Sequence, residues 1–170
     1  MRSNVYVVGD YVSYLGDLTT LSEALRNPDI GRIDALEQNG ERERIYLYLL
    51  TKAQHIWCDY ENLRPIETSD AHLQKLGFQI ITKDGRTIKY QGGPITLSRL
   101  SYFVPSEYYF MSGLCVGDFS KVTEYKKYLK DARVEAELLF SDFPSVENIN
   151  DLFQFLRSMD VAFEDTNILK

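Results

Sequence analysis

The stretch Tyr60-Glu61-Asn62-Leu63-Arg64-Pro65-Ile66-Glu67-Thr68-Ser69-Asp70-Ala71-His72-Leu73-Gln74-Lys75-Leu76-Gly77-Phe78 decides the architecture, because it reads as a strand, a stop, a short helix and a new strand entry. Pro65 has no N–H to give to a ladder and holds Arg64 extended, so strand pairing ends there. Thr68 or Ser69 then offers an N-cap oxygen, and a helix starts at once. With Gly77 in the left-handed position just past that helix, Leu73 and Phe78 are the pair that meets in a Schellman closure. The connector therefore joins two halves of different character, 1–66 and 67–170.

Upstream of it, Val5-Tyr6-Val7-Val8-Gly9-Asp10-Tyr11-Val12-Ser13-Tyr14-Leu15-Gly16 mixes β-branched and aromatic residues around a Gly-Asp turn, which predicts a first strand pair. Leu18 to Pro28 reads as a decorated loop. Ile30 to Leu36 alternates apolar with small or polar residues, and Gln38-Asn39-Gly40-Glu41 carries the Asn-Gly signal of a tight hairpin. The returning strand Arg44-Ile45-Tyr46-Leu47-Tyr48-Leu49-Leu50 puts Ile45, Leu47 and Leu49 on one face and two tyrosines on the other. His55 to Tyr60 gives a further strand ending in Asn62-Leu63-Arg64-Pro65-Ile66. Short strands in this order, closed by an Asn-Leu-x-Pro-Ile segment, predict a small SH3-like β-barrel over 1–66, with an open meander as the alternative.

Downstream, Phe78 to Thr82 and Thr87 to Tyr90 flank Lys83-Asp84-Gly85-Arg86, an Asp-Gly hairpin. After the loop Gln91-Gly92-Gly93-Pro94, the sheet continues through Ile95 to Ser98, Tyr102 to Val104 and Tyr108 to Val116, with a kink expected at Gly113. Lys121 to Phe140 changes from helical to strand spacing and contains the one basic cluster, Lys121, Lys126, Lys127 and Lys130, a solvated polar face with an anion site as the alternative. From Pro144-Ser145 a helix is expected, its stripe being Val146, Ile149, Leu152, Phe153, Leu156 and Met159. The fold class is thus α+β: the barrel, then an antiparallel sheet packed by a C-terminal helix.

The 170 residues are 44% hydrophobic and 26% charged, which is ordinary globular composition. A net charge of -6 disfavours polyanion binding through the bulk field. No apolar run approaches the roughly 20 residues of a membrane span and no leader pattern opens the chain, so a cytoplasmic protein with no membrane partner is expected. Cys58 and Cys115 have neither CxxC nor Cys/His ligand spacing, which points to reduced thiols and not to a zinc site or a disulfide framework.

Three anchors, Gly9-Asp10-Tyr11-Val12-x-Tyr14-x-Gly16 followed by Glu61-Asn62-Leu63-x-Pro65-Ile66, Leu73-x-x-Leu76-Gly77-Phe78, and the amphipathic helix from Val146, resemble a group of small proteins of Bacteroidetes and their prophages and mobile elements. Members of that group share a barrel-like start, a Leu-x-x-Gly-Phe helix exit and a C-terminal helix reading Val-His-x-Leu-Gln. Here the last pattern is Val146-Glu147-Asn148-Ile149-Asn150, without the histidine and the glutamine. The resemblance implies no activity; it implies a phage or mobile-element accessory setting.

Nothing in the chain spells out a reaction. His55 and His72 have no ligand or nucleophile at a telling offset, carboxylates follow neither Asp-x-Asp-x-Asp nor His-Glu-x-x-His, and Gly92-Gly93-Pro94 lacks the lysine and helix of a phosphate loop. No catalytic, cofactor or metal residue is assigned. The expected function is docking of another protein, as an adaptor or inhibitor, through a barrel face bearing Tyr11, Tyr14 and Trp57 or through a helix edge marked by Phe155. A nucleic-acid-associated regulator using aromatic platforms is the alternative, with an enzyme third.

Overall fold

In the computed structural model, which describes residues 6–16, 28–39, 42–83, 87–104, 109–118 and 144–170, strands far outnumber helices and every paired strand is antiparallel. The chain falls into two units, one running to Ile66 and one from Glu67 to Ile168. Among the described residues no helix is long and apolar enough to cross a membrane.

The first unit is a five-stranded sheet of β1 (Tyr11–Tyr14), β2 (Asp29–Asn39), β3 (Arg42–Leu49), β4 (Gln54–Asp59) and β5 (Leu63–Pro65), in the order β4-β3-β2-β1-β5. Pro65 lies on the edge strand β5, where its missing N–H costs the ladder nothing. Among the described residues no ladder joins β4 to β5, so the sheet is not shown closed into the expected barrel. Its core is the inward set that strand alternation selects: Val12, Ile33, Ile45, Leu47, Leu49 and Leu63 are at most 1% exposed, and Tyr14 and Ile56 pack against them. Each such side chain contributes about 1.5–3 kcal/mol by leaving water. Gly40 and Glu41, where the tight hairpin is expected, and residues 17–27, which include most of the expected loop, lie outside the described residues.

The second unit opens with α1 (Asp70–Lys75), and local chemistry fixes both its ends. The Ser69 hydroxyl accepts from the His72 N–H, and the Ser69 N–H donates to His72 Nδ1, each at 3.2 Å, so histidine takes the place Glu or Gln holds in a capping box. At the other end Gly77 has φ +85°, Phe78 N–H donates to Leu73 O and Gly77 N–H to Gln74 O, both at 2.9 Å, the Schellman pattern, and Leu73 and Phe78 are each buried.

A four-stranded meander follows, β6 (Gln79–Lys83), β7 (Thr87–Gly92), β8 (Ile95–Val104) and β9 (Tyr109–Val116). β8 runs unbroken where two pieces were expected, and Gly113 sits opposite Leu100 with no shift of register, so the expected kink is absent. Residues 121–140, with the lysine cluster, lie outside the described residues.

The C-terminal helix starts later than its apolar spacing predicts. Val146 N–H donates to Leu114 O at 2.8 Å and Val116 N–H to Pro144 O at 2.9 Å, while Thr68 donates to Glu147 O and, through its hydroxyl, to Val146 O. Residues 144–148 are thus spent as an extended strip between β9 and Glu67-Thr68, and a segment whose polar groups are already paired sideways cannot also coil. α2 (Ile149–Ser158) begins only where Asn148 Oδ1 accepts from the Asn150 N–H at 2.9 Å. Ile149, Leu152, Phe153 and Leu156 of the expected stripe are buried, whereas Met159, past the last turn, is 51% exposed. The chain ends in α3 (Asp165–Leu169), whose Asp165 pairs with Arg157 at 2.5 Å.

Candidate interaction surface

In the first unit, the side of the sheet away from the core carries rings. Ile45, Leu47 and Leu49 point inward, so Arg44, Tyr46 and Tyr48 must point outward. The β3–β4 register sets Tyr46 opposite Trp57, Tyr48 opposite His55 and Arg44 opposite Asp59, and directly opposed residues share a face. The rings touch in sequence. Tyr46 stacks on His55 at 4.8 Å with planes 8° apart, meets Trp57 at 4.8 Å, and His55 meets Tyr48 at 4.9 Å. Arginines close both ends of the run: Arg44 lies 5.5 Å from the Trp57 ring centre and Arg32 5.9 Å from that of Tyr48.

A β-bulge brings charge to this row. Between Ile33 and Ala35 the β2–β3 register shifts by one residue, leaving Asp34 as the extra residue. Its carboxylate accepts from Arg32 Nε at 2.8 Å and lies 2.8 Å from His55 Nε2. The Arg32 bond, with a lesser one from His55, holds the Asp34 carboxyl below its ordinary range, and Asp34 in turn holds the Arg32 guanidinium firmly charged. The result is a pre-arranged surface in which Trp57 is 43% exposed.

Of the residues named from sequence, Trp57 belongs to this ring row, at its Arg44 end on the outermost strand β4, and Tyr11 lies at the margin of the face. Tyr11 pairs with Arg32 in register and bonds to it, but is only 6% exposed, so little of its ring is left to meet a partner. Tyr14 is corrected: three positions along a strand reverses the side, and it packs against the core cluster, away from Trp57. Phe155 belongs to α2 of the second unit, half-buried, its carbonyl accepting from Ser158 Oγ at 2.6 Å. Sequence reasoning missed Arg32, Asp34, Arg44, Tyr46, Tyr48 and His55 as members of one surface. The tyrosine alternation of β3 was the available signal; the bulge that aims Asp34 had none.

Both cysteines and the Tyr90 hydroxyl lie in buried surroundings. Burial pushes the Cys58 and Cys115 thiols up to about 11, far from the thiolate a nucleophile needs. Tyr90, 1% exposed, donates to Asp70 at 2.8 Å and accepts from Arg99 Nε at 3.3 Å, while Arg99 also donates to Thr68 O at 2.8 Å, tying the start of α1 to β7 and β8. Among the described residues no group of three or more His, Cys, Asp or Glu is placed to hold a metal ion. Compared with family models, curated proteins and solved structures, the chain matches none.

Proposed function

We propose that this is a non-catalytic interaction protein that docks another protein on the outer face of its first sheet. The observation that carries the reading is the exposed Trp57 held in a contiguous row with Tyr46, His55 and Tyr48 and flanked by two arginines. Tryptophan, tyrosine and arginine are the residues that concentrate binding energy in interfaces, and rings already fixed by one another lose little freedom on docking. The strand order, with β1 between β2 and β5, supports assigning the first unit to the SH3-like class, and the buried stripe Ile149, Leu152, Phe153 and Leu156 supports reading the second as a sheet backed by α2. A cytoplasmic accessory role in a phage or mobile element, as adaptor or inhibitor of a host protein, accords with such a surface. Capture from host lysate tests it: a partner retained by the wild type and by Ile81→Ser, but lost from Trp57→Ser, is expected, and no partner sensitive to Trp57 refutes it.

The same platform favours a second reading, stacking of single-stranded nucleic acid. Against it, the Arg32 charge is matched by Asp34, and the chain as a whole carries -6. Anisotropy titration at low salt separates the two readings, with no binding expected at micromolar protein.

A further inference from the structure

We infer that His55 is the specificity-determining residue of the docking face: Asp34 keeps the imidazole proton on Nε2, and Nδ1 receives an N–H or O–H donor from the docked protein. The inference rests on the docking reading and deepens it, by naming a chemical group that the partner must carry.

The Asp34 carboxylate accepts from Arg32 Nε through Oδ1 and meets His55 Nε2 through Oδ2, each at 2.8 Å. The Arg32 guanidinium keeps that carboxyl ionised, and an ionised carboxylate only accepts, so the proton between Oδ2 and Nε2 belongs to the imidazole. A neutral imidazole with its proton on Nε2 has a lone pair on Nδ1. Among the described residues no group bonds to that nitrogen, and the His55 side chain is 42% exposed. One face of the ring lies against Tyr46, planes 8° apart, and Tyr48 closes on it at 4.9 Å, so what the imidazole shows to solvent is largely its rim. His72 differs, since its Nδ1 is already taken by the Ser69 N–H.

The make-up of the row gives this lone pair its weight. Trp57, Arg32 and Arg44 carry donors only, and the hydroxyls of Tyr46 and Tyr48 turn to serve either way. The Asp34 oxygens are committed to Arg32 and His55. His55 therefore supplies the fixed acceptor of the row, and a partner that buried it without a donor would leave it unsatisfied.

Asp34 acts through His55 as a positioning residue, and Asp34→Asn inverts the arrangement. The amide oxygen stays with the Arg32 Nε donor, which turns the NH2 toward Nε2; Nε2 becomes the acceptor and Nδ1 gains the proton. The rings keep their places while an acceptor becomes a donor.

NMR of the imidazole nitrogens in the full chain, with the histidines neutral, is expected to show the Nε2–H tautomer at His55 in wild type and the Nδ1–H tautomer in Asp34→Asn. The probe for docking is the protein retained from host lysate by wild type and lost from Trp57→Ser. His55→Phe keeps a ring without the lone pair and is expected to weaken docking at least about fivefold, and Asp34→Asn at least about tenfold because donor then meets donor. Asp29→Asn removes the same charge from a carboxylate bonded to Lys52 and not to His55, and is expected to change affinity less than about twofold. Circular dichroism confirms the fold of each variant. An Nδ1–H tautomer in wild type, or a Trp57-dependent partner held equally by wild type, His55→Phe and Asp34→Asn, overturns the inference and leaves the docking reading standing. A lysate that yields no Trp57-dependent partner overturns both.

Discussion

The His55 imidazole on β4 lies 2.8 Å from the Asp34 carboxylate on β2, reaching over β3, the strand between them. The contact exists because the bulge at Asp34 adds a residue on the ring side of the sheet, and it ties three strands together outside the core.

Asp34 and Asp29 make the first unit acid-sensitive. Asp34 is held below its ordinary value first by Arg32, and Asp29 by its bond from Lys52 and a lesser one from Thr51. Both carboxyls titrate lower folded than unfolded, so their contribution is present above the unfolded value of 3.8 and is lost as pH falls through the folded values. NMR titration is expected to place both midpoints below 3.8, with Arg32→Gln moving Asp34 upward and leaving Asp29 in place.

His72 gives the second unit a window nearer neutrality. Burial, aided by Lys75, lowers its pKa from 6.5, and its Nδ1 must stay unprotonated to accept the Ser69 N–H. The unfolded chain takes up the proton first as pH falls, so the cap's stabilisation is complete above 6.5 and declines through the lower folded value. Thermal melts are expected to show this loss in wild type and not in His72→Gln, whose amide keeps the reciprocal cap. Ser69→Ala is expected to cost about 1 kcal/mol at every pH.

Gly31 is required by packing, not by its backbone angles. A Cβ there would lie 2.5 Å from Leu47 Cγ, and Leu47 is wholly buried in the first core. Gly31→Ala is expected to destabilise by about 1–3 kcal/mol in urea unfolding.

Asp160 ends α2 as Gly77 ends α1. Val161 N–H donates to Leu156 O at 3.0 Å and Asp160 N–H to Arg157 O at 3.1 Å, the Schellman pattern, yet Asp160 occupies the left-handed position at φ 56°. Asp160→Gly relieves that backbone and is expected to raise stability by about 0.5–1 kcal/mol in thermal unfolding.

What is legible in the sequence follows range. Ser69, Gly77, Leu73 and Phe78 act within ten residues of one another, and their roles can be read before any tertiary contact is known. The β3 alternation likewise separates Ile45, Leu47 and Leu49 from Tyr46 and Tyr48. The 144–148 strip cannot be read this way, because Val146 has the spacing of a helix face and its fate is decided by Leu114 and Thr68, distant in the chain. The ring surface is half legible for the same reason: Trp57 stands out, but the partners beside it come from registers across β2, β3 and β4, and Asp34 from a bulge no local pattern announces.

Trp57 is the chain's single tryptophan, so its fluorescence reports the surface without labelling. The most direct measurement is acrylamide quenching of Trp57 as a captured partner is titrated in, at a concentration where sedimentation shows one oligomeric form throughout. Protection of the indole with a blue-shifted emission, saturating at a fixed stoichiometry, is the predicted result. A partner that binds to saturation while the quenching of Trp57 stays unchanged would contradict the account.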